Sequence, residues 1–133
     1  MENDIFRKLQ RQLDAYSLGF PATESGIEIE ILKGMFSPDE AELFTNMTPR
    51  LETSESVAAR LCKDPSEMER RLKEMAAKGL LFRLKKADEV KYAAVPFMHG
   101  LLEFQVNRLS RERVLAVEQY FREGFQKAIA DSA

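Results

Sequence analysis

The sequence predicts a mainly α-helical chain with a small β-hairpin, arranged as a winged helix–turn–helix flanked by extra N- and C-terminal helices. Three observations support this prediction. Helix-start signals occur at Ser37-Pro38 and again at Asp64-Pro65, each with a glutamate three residues after the cap. After Gly79 the helical apolar period changes to a strand-like alternation. A short polar turn, "ADE", then separates two strand-like segments.

Residues 1–36 are predicted to form two N-terminal helices. Apolar residues recur at helical spacing in residues 3–16, and Gly19 and Pro21 then break the pattern. Residues 24–36 are predicted to form the second helix, although "GIEIEIL" also alternates as a strand would. Glu28 and Glu30 are interpreted as solvent-facing acids on this helix, which is the common situation for neighbouring carboxylates.

Residues 37–96 are predicted to form the core in the order helix, helix, helix, strand, turn, strand. Thr53 or Ser54 caps the second helix, and a three-residue joint leads to the third. The stripe of apolar residues on the third helix predicts its buried face. The first strand is expected to be half-buried because its side chains alternate. The stripe contains Met68, Leu72 and Met75, and the strand places Leu80, Phe82 and Leu84 against Leu81, Arg83 and Lys85.

Residues 97–133 are predicted to form C-terminal helices that dock another domain or form a dimer. Residues 97–107 are apolar on nearly all sides, and Ser110 is expected to cap a final amphipathic helix. This part of the chain has more apolar surface than a small winged helix needs. The candidate interface residues are Phe97, Met98, Leu101, Phe104, Val117, Phe121 and Phe125.

Basic residues concentrate in the middle of the chain, where residues 50–91 contain 11 basic and 8 acidic side chains. In winged-helix DNA readers the third helix enters the major groove, and the hairpin lies against the DNA backbone. Arginine can bind guanine with two hydrogen bonds, and lysine can neutralise phosphates. The candidate nucleic-acid-binding residues are Ser66, Arg70, Arg71, Lys73 and Lys78 on the helix and Arg83, Lys85, Lys86 and Lys91 on the hairpin.

A solvated helix face explains the same charges. Glutamates at positions 67, 69 and 74 each precede a basic residue by four, which is the favourable orientation for ion pairs on a helix. These spacings predict the pairs Glu67–Arg71, Glu69–Lys73 and Glu74–Lys78. Carboxylates on this face would oppose phosphates, so the residues leave DNA binding and protein docking as alternatives.

The sequence gives little support for an enzyme. It contains no glycine-rich phosphate loop, nucleophile elbow or pair of metal ligands at a recognised spacing. His99 is interpreted as a packing histidine in an apolar segment. Cys62, the single cysteine, is interpreted as a small buried hydrophobic residue. No signal peptide and no membrane-spanning apolar segment are recognisable, so we expect a cytoplasmic chain that does not bind membranes.

Two stretches, "GFPATESGIEIEILKGMFSPDEAELFTNMT" and "YAAVPFMHGLLEFQVNRLS", resemble the N-terminal region of bacterial and archaeal multidomain 4Fe-4S ferredoxin-type proteins. In that family a winged-helix domain precedes a cysteine-rich part that binds iron–sulfur clusters. With Cys62 as its single cysteine, this chain cannot hold a cluster by itself. The resemblance implies that cluster ligands lie beyond residue 133 and that this chain binds no cofactor.

The resemblance implies a non-catalytic module that takes part in electron transfer by docking a cluster-binding C-terminal domain or a partner protein. A looser resemblance to MarR-like winged-helix regulators covers residues 38–95. It implies the alternative function, a DNA-binding transcriptional regulator, with a homodimer and double-stranded DNA as the alternative partners. Fold alone does not decide between these functions.

Overall fold

The computed structural model describes residues 2–16, 19–101, 111–121 and 123. The described part is mainly helical with a small antiparallel sheet, so the predicted fold class is confirmed. A π-helical turn, Phe97–Leu101, precedes the last helix. The helices are α1 (Glu2–Asp14), α2 (Ile27–Met35), α3 (Pro38–Thr45), α4 (Ser54–Leu61), α5 (Pro65–Ala77) and α6 (Arg111–Tyr120), and the strands are β1 (Glu52–Thr53), β2 (Phe82–Lys86) and β3 (Glu89–Ala93).

The described strands form one antiparallel sheet in the order β1-β3-β2. From α3 to β3 the chain runs helix, strand, helix, helix, strand, strand, which is the element order of a winged helix–turn–helix. Strand β1 was not predicted from the sequence, because a two-residue strand has no recognisable alternation. Its pairing of Glu52 with Tyr92 and of Thr53 with Lys91 ties the start of α4 to the hairpin.

Side-chain caps fix where the core helices begin. The Ser37 hydroxyl accepts a hydrogen bond from the Glu40 N–H, and the Glu40 carboxylate accepts one from the Ser37 N–H, as a capping box requires. The Thr53 and Asp64 side chains likewise cap α4 and α5, each accepting a hydrogen bond from the backbone N–H three residues later. At Asp64 the predicted capping box is incomplete. The Glu67 carboxylate accepts hydrogen bonds from Arg70 and not from the Asp64 N–H.

An aromatic cluster joins the N-terminal connector to the C-terminal segment. The rings of Phe20 and Phe97 stack with centroids 4.2 Å apart, and the Tyr120 ring lies 4.8 Å from that of Phe20. The Tyr120 hydroxyl donates a hydrogen bond to the Pro21 carbonyl at 2.7 Å. The connector "GFPATESG" therefore contributes to the core and does more than link two helices.

The interpretation of Glu28 as a solvent-facing acid was wrong, whereas Glu30 is exposed as expected. Glu28 is fully buried and accepts hydrogen bonds from Arg7 Nη1 at 2.8 Å and from Thr23 Oγ1 at 2.6 Å. The Thr23 N–H donates a further hydrogen bond to Glu28. Helix α2 begins at Ile27, later than predicted, because Gly26 adopts a left-handed conformation with φ 74°.

Two further predictions were also wrong. Strand β2 is exposed along its whole length, whereas its side-chain alternation had indicated a half-buried strand. The apolar pair that is buried is Leu80 and Leu81, which precede the strand. Cys62 is exposed and ends α4 with φ 57°, since the tight joint to α5 requires a left-handed residue there.

The C-terminal segment contributes side chains to this chain's own core. Phe97, Leu101 and Val117 are buried, and Phe121 is partly buried against the same core. These residues belonged to the predicted docking or dimer interface, and the first three have almost no surface to offer a partner. Phe104, Phe125 and the cap residue Ser110 lie outside the described residues, as do the side chains of Met98 and His99.

Candidate functional site

The candidate nucleic-acid-binding residues lie on helix α5, at its C-cap Lys78 and on the hairpin of β2 and β3. Met68, Leu72 and Met75 bury one face of α5, as the sequence predicts. The opposite face is exposed and includes Ser66, Arg70, Lys73 and Glu74, with Glu67 beside them. The fold therefore presents this face of α5 to solvent, which is where a DNA-reading helix would need it. The charges around it decide what the face can bind.

Arg70 lies near the middle of this face and is bound between two carboxylates. It forms ion pairs with Glu67, one turn before it, and with Glu74 at 3.0 Å, one turn after it. The hydrogen bond to Glu67 raises the pKa of Arg70, and the same contact holds the pKa of Glu67 below its usual value. An arginine with both sides of its guanidinium engaged in this way must break these ion pairs before it can bind a guanine edge or a phosphate.

Two other basic residues, Arg71 of α5 and its C-cap Lys78, contact helix α3. The Arg71 Nη2 donates a hydrogen bond to the Asp39 carbonyl at 3.3 Å, and Lys78 Nζ lies 2.7 Å from the Glu40 carboxylate. Burial would raise the pKa of Glu40, but the hydrogen bonds from Lys78 and from the Ser37 N–H outweigh this effect and lower it. Arg71 and Lys78 thus hold the first turn of α3 against α5.

The ion pairs predicted from four-residue spacing are not the ones that form. Glu67 and Glu74 both bind Arg70, whereas Arg71 and Lys78 were the expected partners. Glu69 accepts a hydrogen bond from the Tyr92 hydroxyl at 3.1 Å, whereas Lys73 was its expected partner. The prediction failed for two reasons. On α5 itself, Arg70 lies within reach of both Glu67 and Glu74. Elsewhere α3 supplies partners for Arg71 and Lys78, and Tyr92 of β3 supplies one for Glu69.

The hairpin places its basic residues on both strands. Arg83, Lys85 and Lys86 are exposed on β2, and Lys91 on β3 lies 3.1 Å from the Glu89 carboxylate. Burial of the Tyr92 hydroxyl raises its pKa, and the neighbouring Glu69 charge acts in the same direction, whereas Arg83 opposes both. Tyr92 therefore links α5 to the hairpin through its buried ring and its hydroxyl contacts.

An open groove of about 1150 Å³ lies between the hairpin tip and the first turns of α4 and α5. Its lining includes both carboxylates and lysines, so it lacks the uniform positive charge of a phosphate-binding channel. The charged lining residues are Glu55, Glu69, Lys86, Asp88, Glu89 and Lys91.

Strand β2 carries exposed apolar residues that were not predicted as a candidate site. Phe82 and Leu84 leave 40% and 39% of their surface accessible. They are two residues apart, so they share one face of the strand. The signal was present in the sequence as an apolar and basic alternation, but it was interpreted as a sign of half-burial.

Other kinds of site find no support in the described ranges. Within them, no group of three or more His, Cys, Asp or Glu side chains is arranged to hold a metal ion. No helix there has both the length and the apolar character needed to cross a membrane.

Comparison with models of known protein families finds none that matches this chain, and comparison with curated proteins finds none that is significantly similar.

Proposed function

We propose that this chain is a non-catalytic, cytoplasmic winged-helix module that docks onto a protein partner. In the setting implied by its resemblance to ferredoxin-type proteins, that partner is a 4Fe-4S cluster-binding domain of the electron-transfer protein. The observation that supports docking over DNA reading is the position of Arg70 between Glu67 and Glu74. It leaves the exposed face of α5 with balanced charge where a DNA reader needs an excess of positive charge.

The engagement of Arg71 and Lys78 adds to this argument. Both contact the first turn of α3 at the protein surface. If they turned toward a phosphate, the first turn of α3 would lose these contacts. Binding DNA through α5 would therefore require the ion pairs of Arg70 and the contacts with α3 to break. Docking a protein of mixed charge would leave both in place.

The alternative function, a DNA-binding regulator, is favoured by one observation on the hairpin. Arg83, Lys85 and Lys86 form an exposed basic run on β2, and Lys73 is exposed on α5. In such a regulator these residues would contact phosphates, and Arg70 would release its carboxylates to enter the groove. This alternative predicts that the chain binds duplex DNA and that the affinity falls as the salt concentration rises.

The deciding experiment is fluorescence anisotropy of the chain against mixed-sequence duplex DNA at about 50 and about 200 mM salt, where phosphate contacts change affinity by orders of magnitude. We expect no binding at low salt over the accessible protein concentrations. Salt-sensitive binding that Lys85→Ala and Arg70→Ala each weaken would overturn protein docking and establish the regulator. The variant Lys8→Ala, at an exposed position on α1, is the control for general charge effects.

A further inference from the structure

Among the described strands, β2 lies at an edge of the sheet. In the sheet order β1-β3-β2, β2 pairs with β3 on one side, and none of the described strands pairs with it on the other. Because hydrogen bonds alternate in an antiparallel ladder, every second residue of β2 directs its N–H and C=O groups away from β3. An edge of this kind is a template for one more strand.

The side chains of β2 define what such a strand would look like. Phe82 and Leu84 lie on one face, and Arg83 and Lys85 lie on the other, since successive side chains alternate across a strand. All four are exposed. A partner strand would therefore cover the apolar residues on one face and meet two positive charges on the other.

From these features we propose that the edge of β2 that faces away from β3 binds an extended segment of a partner protein in which acidic and apolar residues alternate. This is strand addition, in which backbone hydrogen bonds give affinity and alternate side chains give specificity. Apolar residues of the segment would cover Phe82 and Leu84, and its carboxylates would pair across the strands with Arg83 and Lys85. The proposal rests on the protein-docking function and names the surface and the class of partner.

A second copy of this chain fits the edge poorly. An antiparallel pair of β2 strands centred on Leu84 would place Arg83 of one copy directly opposite Lys85 of the other. Like charges in directly opposed positions destabilise a sheet. The repulsion would occur twice in a symmetric pair, because the two strands are related by a two-fold axis. Charge complementarity therefore favours an acidic partner over self-association.

The experiment is a titration of the ¹⁵N-labelled full chain with a short peptide that alternates glutamate and valine, followed by NMR. We expect the amide resonances of residues 82–86 to shift more than those of the rest of the chain. A second peptide, in which a central valine is replaced by proline, keeps the charge but cannot complete a strand. We expect it to bind at least about fivefold more weakly. Equal binding of the two peptides, or shifts centred outside β2, would overturn strand addition.

A pair of charge-reversal variants tests the recognition of carboxylates. We expect Lys85→Glu to weaken binding of the alternating peptide about fivefold or more, since one attractive pair becomes repulsive. Lys8→Glu makes the same change in net charge on the exposed surface of α1 and should leave the affinity unchanged. Equal affinities for Lys85→Glu and the unmodified chain would count against the proposal.

Sedimentation and DNA binding separate the remaining outcomes. In sedimentation we expect a monomer in the absence of peptide. A dimer in which the β2 amide protons are protected from solvent exchange would show that a second copy occupies the edge, and it would overturn the proposal. Failure of the peptide to bind, together with absence of DNA binding, would reject the β2 edge and leave the docking function in place. DNA binding through β2 would overturn both.

Discussion

The buried carboxylate of Glu28 provides the sharpest test of the fold. Replacing Glu28 with alanine removes the acceptor for two hydrogen bonds from Thr23 and for a charged hydrogen bond from Arg7. Breaking a buried ion pair by removing one partner costs about 3–5 kcal/mol. The Arg7 side chain remains 33% exposed and can regain water, which reduces this cost. We therefore expect Glu28→Ala to lower the free energy of unfolding by about 2–4 kcal/mol.

The matched control is on the same helix, two residues away. Glu30 is exposed, so Glu30→Ala should change the free energy of unfolding by no more than about 0.5 kcal/mol. Urea denaturation followed by far-ultraviolet circular dichroism at pH 7 measures both variants. If Glu28→Ala were no more destabilising than Glu30→Ala, the hydrogen bonds to the buried Glu28 carboxylate would not contribute to stability.

The lowered pKa of Glu28 predicts that the stability of the fold depends on pH. Burial would raise the pKa of Glu28, but the hydrogen bonds from Thr23 and Arg7 outweigh it, and the pKa lies below its usual value. A carboxylate with a lowered folded-state pKa stabilises the fold above the ordinary glutamate pKa of about 4.3, and this stabilisation is lost as the pH falls through the folded-state pKa. The difference in unfolding free energy between the unmodified chain and Glu28→Gln should thus be largest near neutral pH and shrink in acid. A difference that stays constant would contradict the assigned ionisation.

The remaining predictions concern the buried ring of Phe97 and the exposed helix cap at Cys62. Phe97→Ala should lower the free energy of unfolding by about 3–5 kcal/mol, because the Phe97 ring is buried against Phe20. Phe82→Ala on the exposed strand should lower it by about 1 kcal/mol or less. Similar losses for the two variants in urea denaturation would contradict the assignment of Phe97 to the core. Cys62 should react with a thiol reagent in the folded state, and Cys62→Gly should raise the free energy of unfolding by about 0.5–1 kcal/mol by relieving a left-handed conformation at φ 57°. A thiol that reacts only in urea, or a destabilised glycine variant, would contradict the exposed left-handed cap.

Local signals in the sequence determined the secondary-structure order and most helix starts. The caps at Ser37, Thr53 and Asp64, and the change of period after Gly79, depend on neighbouring residues, so they can be recognised without the tertiary fold. The buried stripe of α5 was recognised for the same reason. The three helices and the two hairpin strands between residues 38 and 95 followed from these signals, whereas the two-residue strand β1 between α3 and α4 did not.

Only the tertiary structure decided which polar groups find partners. Glu28 is buried because Arg7, 21 residues earlier on α1, reaches it, and no local pattern shows that approach. Lys78 pairs with Glu40, 38 residues earlier, and so is drawn away from the face of α5 that would contact DNA. The side-chain alternation of β2 gave the strand but could not show whether another element covers it. Packing between distant segments sets burial and charge pairing, so the partners of Glu28 and Lys78 depend on contacts that no local sequence pattern contains.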